Sequence, residues 1–184
     1  MPEVLLFNKP YGVLSQFTDT EGRPTLAQWI DRPGYYLAGR LDMDSEGLLV
    51  LTNDGTLQQR ISNPRYKKEK TYLAQVEGIP SPRDLKRLTD GLVLKDGKTL
   101  PARACLLGRK PAWLWPRIPA IRQRRKIPVS WLEISIREGK NRQIRRMTAA
   151  LGLPTLRLIR VSIGDYRLGD LQPGESLISS SVQL

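Results

Sequence analysis

The chain consists mainly of short apolar runs that end at residues typical of turns, and this pattern limits the fold to one made of short elements. Residues 4–7 end at an Asn-Lys-Pro-Tyr-Gly turn. Residues 47–52 end at Asn53, Asp54 and Gly55, which we expect to form a tight turn. Further strands are predicted at residues 71–76 and 131–137 and from Leu156 onward, and residues 92–97 are expected to form one arm of a hairpin.

Short helices are predicted where apolar residues have helical spacing or where capping residues stand. The first is predicted at residues 26–30, and the second begins after Ser81 as its N-cap. The third has Asn141 as its N-cap and ends before Gly152. Because strands and helices do not alternate as regular βαβ units, we predict an α+β fold with a mixed, mainly antiparallel sheet and flanking helices. The tail from Ile178 onward is expected to be frayed.

The absence of histidine and the presence of one cysteine, Cys105, exclude several classes of active site. There can be no Ser-His-Asp triad, no Cys-His dyad and no histidine metal ligand. A single cysteine also excludes an intramolecular disulfide and a CxxC zinc or iron–sulfur site. Any chemistry must therefore use carboxylates, phenols, hydroxyls, lysines or arginines, and no metal site is predicted.

The charge balance points to a polyanionic partner. There are 30 basic and 18 acidic residues, which gives a formal net charge of +12. The electrostatic field of such a charge attracts nucleic acid or an anionic membrane. The first residues contain only a short apolar run with no basic segment before it, and no window approaches the roughly 20 apolar residues of a membrane span. We therefore expect a cytoplasmic protein that binds nucleic acid.

Residues 109–126, which we call the basic loop, hold seven basic residues, two tryptophans and no acidic residue. Its prolines exclude a helix or a central strand, so an extended surface loop is predicted. One interpretation is a solvated charged loop. The other is an RNA-binding surface, where cations contact phosphates and indoles stack on bases. The residues assigned to RNA binding are Arg122, Arg124, Arg125, Lys126, Trp113 and Trp115.

Residues 39–47, which we call the acidic loop, carry three acids at Asp42, Asp44 and Glu46. A calcium loop is excluded, because an asparagine stands where the bidentate glutamate would be needed. One remaining interpretation is a solvated turn whose acids pair with arginines. The other is a reactive carboxylate, since Asp42 directly follows Leu41 in a run that reaches the core. A partly desolvated carboxylate beside arginine could attack a sugar carbon or stabilise an oxocarbenium ion.

Four motifs stand in a fixed order along the chain. They are Asn-Lys-Pro-Tyr-Gly at 8–12, Gly-Arg-Leu-Asp-Met-Asp-Ser-Glu-Gly-Leu-Leu-Val-Leu-Thr-Asn-Asp-Gly at 39–55, Lys-Thr-Tyr at 70–72 and Glu-Gly-Lys-Asn-Arg-Gln-Ile-Arg-Arg-Met at 138–147. Together they resemble the RsuA-type bacterial ribosomal RNA pseudouridine synthases. The resemblance covers residues 4–170, and segments 111–116 and 154–160 look most like the E-type large-subunit branch.

The resemblance implies a fold and a reaction. The fold would be the pseudouridine synthase catalytic fold with a central RNA-binding cleft, in one domain of two subdomains at about 1–62 and 63–184. The enzyme would break the C1′–N1 bond of a uridine, turn the uracil and rejoin it through C5, with no cofactor. The implied partner is 23S ribosomal RNA or a ribosomal assembly intermediate, bound by a monomer.

The resemblance also assigns roles to residues. Asp42 matches the essential aspartate, which would attack C1′ or remove the C2′ proton. Tyr72 matches the active-site tyrosine that stacks on the uracil, and Arg145 matches the basic residue that keeps the aspartate ionised. Arg40 would fill the gap left by the flipped-out uridine. The other basic residues of the motifs that are expected to contact the RNA are Lys9, Arg142 and Arg146. Lys9 also suits an architectural role in its turn.

One departure from the family pattern bears on RNA recognition. Family members commonly carry an S4-type RNA-binding domain ahead of the first motif, and here only seven residues precede Asn8. We therefore expect no S4 domain and assign recognition to the catalytic domain, chiefly to the basic loop. Two other functions stay open: a synthase acting on 16S or transfer RNA, and a non-catalytic RNA-binding or ribosome-assembly protein. The intact set of Asp42, Tyr72 and Arg145 favours an enzyme.

Overall fold

The computed structural model describes residues 1–179. The strands are β1 (Val4–Lys9), β2 (Tyr36–Leu37), β3 (Glu46–Thr52), β4 (Lys70–Glu77), β5 (Val93–Leu94), β6 (Gly97–Lys98), β7 (Arg103–Leu107), β8 (Val129–Ile136), β9 (Thr155–Ile163), β10 (Tyr166–Arg167) and β11 (Ser176–Ser179). The helices are α1 (Gly55–Ser62), α2 (Pro82–Asp90) and α3 (Gln143–Ala150), with single 3-10 turns at Leu26–Gln28 and Pro64–Tyr66. No helix in this range is long and apolar enough to cross a membrane.

The chain divides into two compact units, and unit one comprises Met1–Lys68 and the chain from Ile159 onward. Its strands follow the order β11-β1-β3-β9, with β2 beside β3 and β10 beside β9. Most of these pairs are antiparallel. The exception is β3 with β9, a parallel pair in which Gly47 lies opposite Arg160. This parallel pair makes the sheet mixed.

Strands β1 and β3 form the interior of unit one. Every residue of both strands is buried, and residues 48–51 are fully inaccessible. A strand covered on both faces needs an unbroken apolar run and not an alternating one, which explains the sequence of β3. Leu57 and Ile61 are the buried residues of α1, which contacts β3.

Unit two comprises Glu69–Leu158. The strand order is β9-β4-β8-β7, and β8 pairs antiparallel with both β4 and β7. Helix α2 begins at a capping box in which the Ser81 hydroxyl and the Asp84 carboxylate each accept a backbone hydrogen bond from the other. Helix α2 contacts β7, and α3 contacts the β5–β6 hairpin.

The structure confirms the α+β class and the mixed, mainly antiparallel sheet. The runs at 4–7, 47–52, 71–76 and 131–137 lie in β1, β3, β4 and β8. The hairpin and the helix after Ser81 are also confirmed. The basic loop contains no helix or strand, as its prolines predict. Strand β7 was not predicted from the sequence.

Three local predictions are wrong. Asp54 does not form a tight turn but is the N-cap of α1, where its carboxylate accepts from the Leu57 amide at 2.7 Å. The N-cap of α3 is Arg142 and not Asn141, and Arg142 has a left-handed backbone and makes no side-chain cap. Ile178 belongs to β11, which pairs with β1. The rest of the tail lies outside the described residues.

The observed division differs from the expected subdomains. The sequence placed everything from residue 63 onward in the second part, whereas the chain from Ile159 onward belongs with unit one. The physical reason is strand pairing, because β9 pairs with β3 and β11 pairs with β1. Local composition does not show that the C-terminal part of the chain pairs with strands near the N-terminus.

The cap of α1 gives a direct test of the local fold. Replacing Asp54 with alanine removes the acceptor for the Leu57 amide, and we expect the free energy of unfolding to fall by about 1 kcal/mol. Asparagine caps helices about as well, so Asp54→Asn should stay close to wild type. Urea denaturation of the three proteins measures the difference. Equal losses in both variants would contradict the capping role.

Candidate active site

The acidic loop connects β2 to β3 in unit one, and its carboxylates have graded exposure. Asp42 and Asp44 are half-buried, and Glu46, the first residue of β3, is buried. Leu41 is also buried, so Asp42 follows a residue fixed in the core. The loop is therefore anchored in the core at this point and is not a fully solvated turn.

Two side chains from the N-terminal segment hold the backbone of the acidic loop. The Ser15 hydroxyl donates to the carbonyl of Leu41 at 2.7 Å and accepts from its amide at 3.0 Å. The Lys9 ammonium donates to the carbonyl of Val13 at 2.7 Å and lies 3.4 Å from the carbonyl of Met43. The residues on either side of Asp42 are therefore anchored through backbone atoms.

Lys9 does not contact RNA as predicted, because its side chain is fully buried. Its ammonium also donates to the carbonyl of Pro10 at 2.9 Å, so that all its contacts are internal. Burial lowers the pKa of Lys9 to about 7, against the opposing influence of Glu46, Asp44 and Asp42. The architectural interpretation of this lysine replaces the RNA-binding one.

Arg160 supplies a third anchor, and the sequence analysis gave it no role. It is buried, and its Nε donates to the carbonyl of Leu48 at 2.9 Å. Its Nη1 lies 3.4 Å from the carbonyl of Arg40, two residues before Asp42. Arg40 itself is exposed and donates to the Gln16 side chain at 3.2 Å. The only sequence signal for Arg160 is an arginine within an apolar strand.

Gly47 allows this arginine to approach. Its φ is +102°, and a Cβ at this position would overlap the carbonyl oxygen of Arg160 and lie 2.8 Å from its amide nitrogen. Any residue with a side chain at position 47 would have a strained backbone and would overlap Arg160. Gly47 is therefore required by the close contact between β3 and β9.

Tyr72 and Arg145 belong to unit two. Tyr72 lies in β4 opposite Ile134 of β8, and it is 9% exposed. Arg145 is half-buried beside the buried face of α3, which includes Ile144 and Met147. Arg145 follows Ile144 by about 100° around the helix, which accounts for its place at the edge of the apolar face.

The two remaining arginines of α3 differ in their surroundings. Arg142 is exposed at the start of the helix. Arg146 makes a bidentate ion pair with Asp96, at 2.7 and 3.1 Å, and its Nε donates to the carbonyl of Asn141 at 2.9 Å. The hydrogen bond to Asp96 raises the pKa of Arg146. The structure therefore does not support the prediction that Arg146 contacts phosphate, because its guanidinium is engaged within unit two.

The basic loop exposes its cations but only one of its tryptophans. Arg122, Arg124, Arg125 and Lys126 are all exposed. Trp113 is 52% exposed, whereas Trp115 is 8% exposed and lies beneath the guanidinium of the buried Arg157, 5.8 Å from the ring centroid. The two indoles lie 6.2 Å apart. The prediction that Trp115 stacks on a base is therefore wrong, because its ring is already covered within the protein.

Among residues 1–179, no group of three or more cysteine, aspartate or glutamate side chains is arranged to hold a metal ion.

Comparison with known proteins identifies the class. The sequence model of the RNA pseudouridylate synthase family matches residues 3–150. A solved structure described as a pseudouridylate synthase has a TM-score of 0.81 and 30% identity to this chain, and the match covers 98% of this chain and 71% of that one. The chain therefore belongs to the RNA pseudouridylate synthase family, which confirms the resemblance seen in its motifs.

Individual relatives show which branch of the family this chain resembles. The chain is 56% identical over 173 residues to ribosomal large subunit pseudouridine synthase E of Vibrio parahaemolyticus, over 94% of this chain and 72% of the relative. It is 57% identical over 172 residues to the protein of the same name from Xanthomonas axonopodis pv. citri, over 92% of this chain and 90% of that protein. The similarity to the E-type large-subunit branch is thereby confirmed.

Burial of Lys9 predicts a specific pH dependence of stability. The pKa of Lys9 is about 7 in the folded protein, against the ordinary lysine value of 10.5. Between these values the unfolded chain binds more protons, so the contribution of Lys9 makes the free energy of unfolding rise from about pH 7 to about pH 10.5. The Lys9→Met variant lacks this contribution, so its free energy of unfolding should rise less over that pH range. Urea denaturation at several pH values measures the difference.

Lys95, an exposed lysine, provides the matched control. Lys95→Met should follow the wild-type pH profile. Profiles that coincide for wild type and Lys9→Met would contradict the assignment of a buried lysine with a lowered pKa.

Proposed function

We propose that this protein converts one uridine of 23S ribosomal RNA into pseudouridine. The observation that carries the proposal is the identity of 56 and 57% to two proteins named ribosomal large subunit pseudouridine synthase E. Family membership supplies the reaction, and the names of these relatives supply the large-subunit RNA as the substrate class. We further propose that the protein acts as a monomer, on the RNA or on a ribosomal assembly intermediate.

The proposed reaction is an isomerisation in which atoms and electrons balance. The C1′–N1 glycosidic bond breaks, the uracil turns, and a C1′–C5 bond forms. C5 then loses its proton and N1 ends protonated, so the product has the same composition as the substrate. Because no oxidant, reductant or group donor is consumed, the side-chain types available in this chain are sufficient.

Asp42 is the proposed catalytic residue at the ribose. Its carboxylate either attacks C1′ or removes the C2′ proton, and both routes need a carboxylate held at a fixed position. The support is the anchoring of the acidic loop by Ser15, Lys9 and Arg160. Asp42 itself is half-buried, so it is neither enclosed in the core nor fully in solvent.

Two residues of unit two are proposed to complete the chemistry. Tyr72 contacts the uracil, and its position on the long central strand β4 gives the ring a fixed direction. Arg145 keeps the catalytic carboxylate ionised. Exposed Arg40, next to the acidic loop, occupies the gap left by the flipped-out nucleotide.

The proposed RNA-binding surface is the exposed part of the basic loop together with Arg142. Four cations of the loop and Arg142 are exposed, and exposed cations can contact phosphates. Trp113 offers an exposed indole on which a base can stack, and the neighbouring Trp115 supports it from below. This surface needs no further domain to contact RNA.

The catalytic assignment is tested by Asp42→Asn. Because C5 loses its hydrogen in the reaction, tritium release from 23S ribosomal RNA labelled at C5 of uridine measures turnover. We expect release with wild type and a loss of at least 1,000-fold with Asp42→Asn, on the scale seen when a nucleophile is removed. RNA affinity should change little, since amide and carboxylate have nearly the same shape.

Asp44→Asn is the matched control, because Asp44 is a half-buried aspartate of the same loop. It should retain most of the turnover. Release that persists in Asp42→Asn would contradict the catalytic role. Release from 16S or transfer RNA instead of 23S would reassign the substrate, and no release from any RNA with binding retained would favour an RNA-binding protein.

The basic loop predicts a change in salt dependence. Replacing Arg122, Arg125 and Lys126 with glutamine should weaken RNA binding and reduce the slope of log affinity against log salt by about 2, since each lost contact to single-stranded phosphate removes about 0.7. Replacing Arg83, Lys86 and Arg87 on α2 removes the same charge elsewhere on unit two and should leave the slope nearly unchanged. Equal changes in both variants would contradict a specific role for the loop.

A further inference from the structure

An open cavity of about 550 Å³ lies in unit two and is lined by Glu77, Arg122, Gln123 and Arg124. Its volume falls within the range of about 300 to 1,000 Å³ that small-molecule sites occupy. It lies between the end of β4 and the basic loop, so the one carboxylate in the lining stands beside two exposed arginines. None of the roles proposed for the uridine chemistry involves Glu77.

The Glu77 carboxylate has acceptor capacity that the protein does not use. Its side chain is only 14% exposed, and its nearest ionic partner, Arg124 Nε, is 3.8 Å away, which is too far for a hydrogen bond. Within residues 1–179 it accepts no hydrogen bond. Because Glu77 lines an open cavity, a ligand with two adjacent donors can bind its carboxylate without displacing a hydrogen bond of the protein.

Hydrogen bonds hold the main chain at Glu77 in place. The Glu77 amide donates to the carbonyl of Pro154 at 2.9 Å, and the next amide, of Gly78, donates to the carbonyl of Pro128 at 2.7 Å. The Ser130 hydroxyl donates to the carbonyl of Gly78 at 2.7 Å. A carboxylate carried on an anchored main chain can discriminate between ligands by their donors.

The bases of RNA differ in what they offer a carboxylate. An ionised carboxylate only accepts, through two adjacent oxygens. Guanine presents two adjacent donors, N1–H and an N2 amino hydrogen, on its Watson–Crick edge. Adenine and cytosine present one amino donor beside a ring acceptor, and uracil presents one N–H between two carbonyl oxygens. A carboxylate therefore favours guanine and repels uracil.

We propose that this cavity binds an unpaired guanosine of the substrate RNA, separate from the uridine that is isomerised, and that Glu77 reads its N1–H and N2 amino donors. Gln123 lines the same cavity and can donate to the guanine O6. Arg122 and Arg124 are exposed and contact the phosphates on either side. The substrate preference of this subsite rests on the proposed function as an RNA-modifying enzyme.

The test compares two oligonucleotides that differ by one donor. Nine-residue oligouridylates are made with a central guanosine or a central inosine, which lacks the N2 amino group. Wild-type protein should bind the guanosine oligonucleotide about tenfold more tightly, as expected for the loss of one member of a bidentate pair. In Glu77→Gln this preference should fall to about one.

Two further variants keep the test informative. Arg122→Gln should weaken binding of both oligonucleotides alike and preserve the preference, since it contacts phosphate. Asp42→Asn should also preserve it, so a failure of the catalytic assignment and a failure of the guanosine subsite give different results. Equal binding of guanosine and inosine by wild type, or an unchanged preference in Glu77→Gln, would overturn the proposal.

A second readout follows turnover on 23S ribosomal RNA. Glu77→Gln should raise KM about tenfold and leave kcat within twofold, because the subsite binds substrate away from the reacting atoms. A fall in kcat with unchanged KM would contradict a binding role. Circular dichroism of the variant confirms that the comparison is made between folded proteins.

Discussion

The close contact between β3 and β9 at Gly47 and Arg160 is the constraint on which unit one depends. Gly47 has a backbone conformation that side chains rarely adopt, and a Cβ there would overlap the carbonyl oxygen of Arg160. The contact brings a buried guanidinium to the carbonyls of Leu48 and Arg40. The parallel pair of β3 and β9 thus connects directly to the loop that carries Asp42.

This contact works together with a second buried cation. Lys9 is enclosed, and desolvation lowers its pKa while three nearby carboxylates oppose that change. A buried charge is stable only when it has partners, and here the partners are backbone carbonyls of the turn after β1 and of the acidic loop. Unit one therefore uses buried cations to fix a loop, and the loop presents a half-exposed carboxylate. This arrangement holds the main chain on either side of Asp42.

The sequence predicted the elements whose signal is local. The unbroken apolar run of β3 and the capping residues of α2 were sufficient for these elements, and the motif around Asp42 led to the family. Arg160 was missed, because its hydrogen bond to Leu48 spans 112 residues and leaves no periodic pattern. Trp115 was misassigned because burial by Arg157 is also long-range. Asp54 was misread because Asn-Asp-Gly serves equally as a turn or as a helix start.

The most direct measurement is a crystal structure of the protein bound to a 23S ribosomal RNA fragment whose target uridine carries fluorine at C5. Fluorine cannot leave as the C5 proton does, so the reaction should halt after the new bond forms. We predict that the flipped-out ribose places C1′ and C2′ against the Asp42 carboxylate, with the base against Tyr72. A ribose that contacts Asp44 or Glu46 instead, with Asp42 remote from it, would contradict the account.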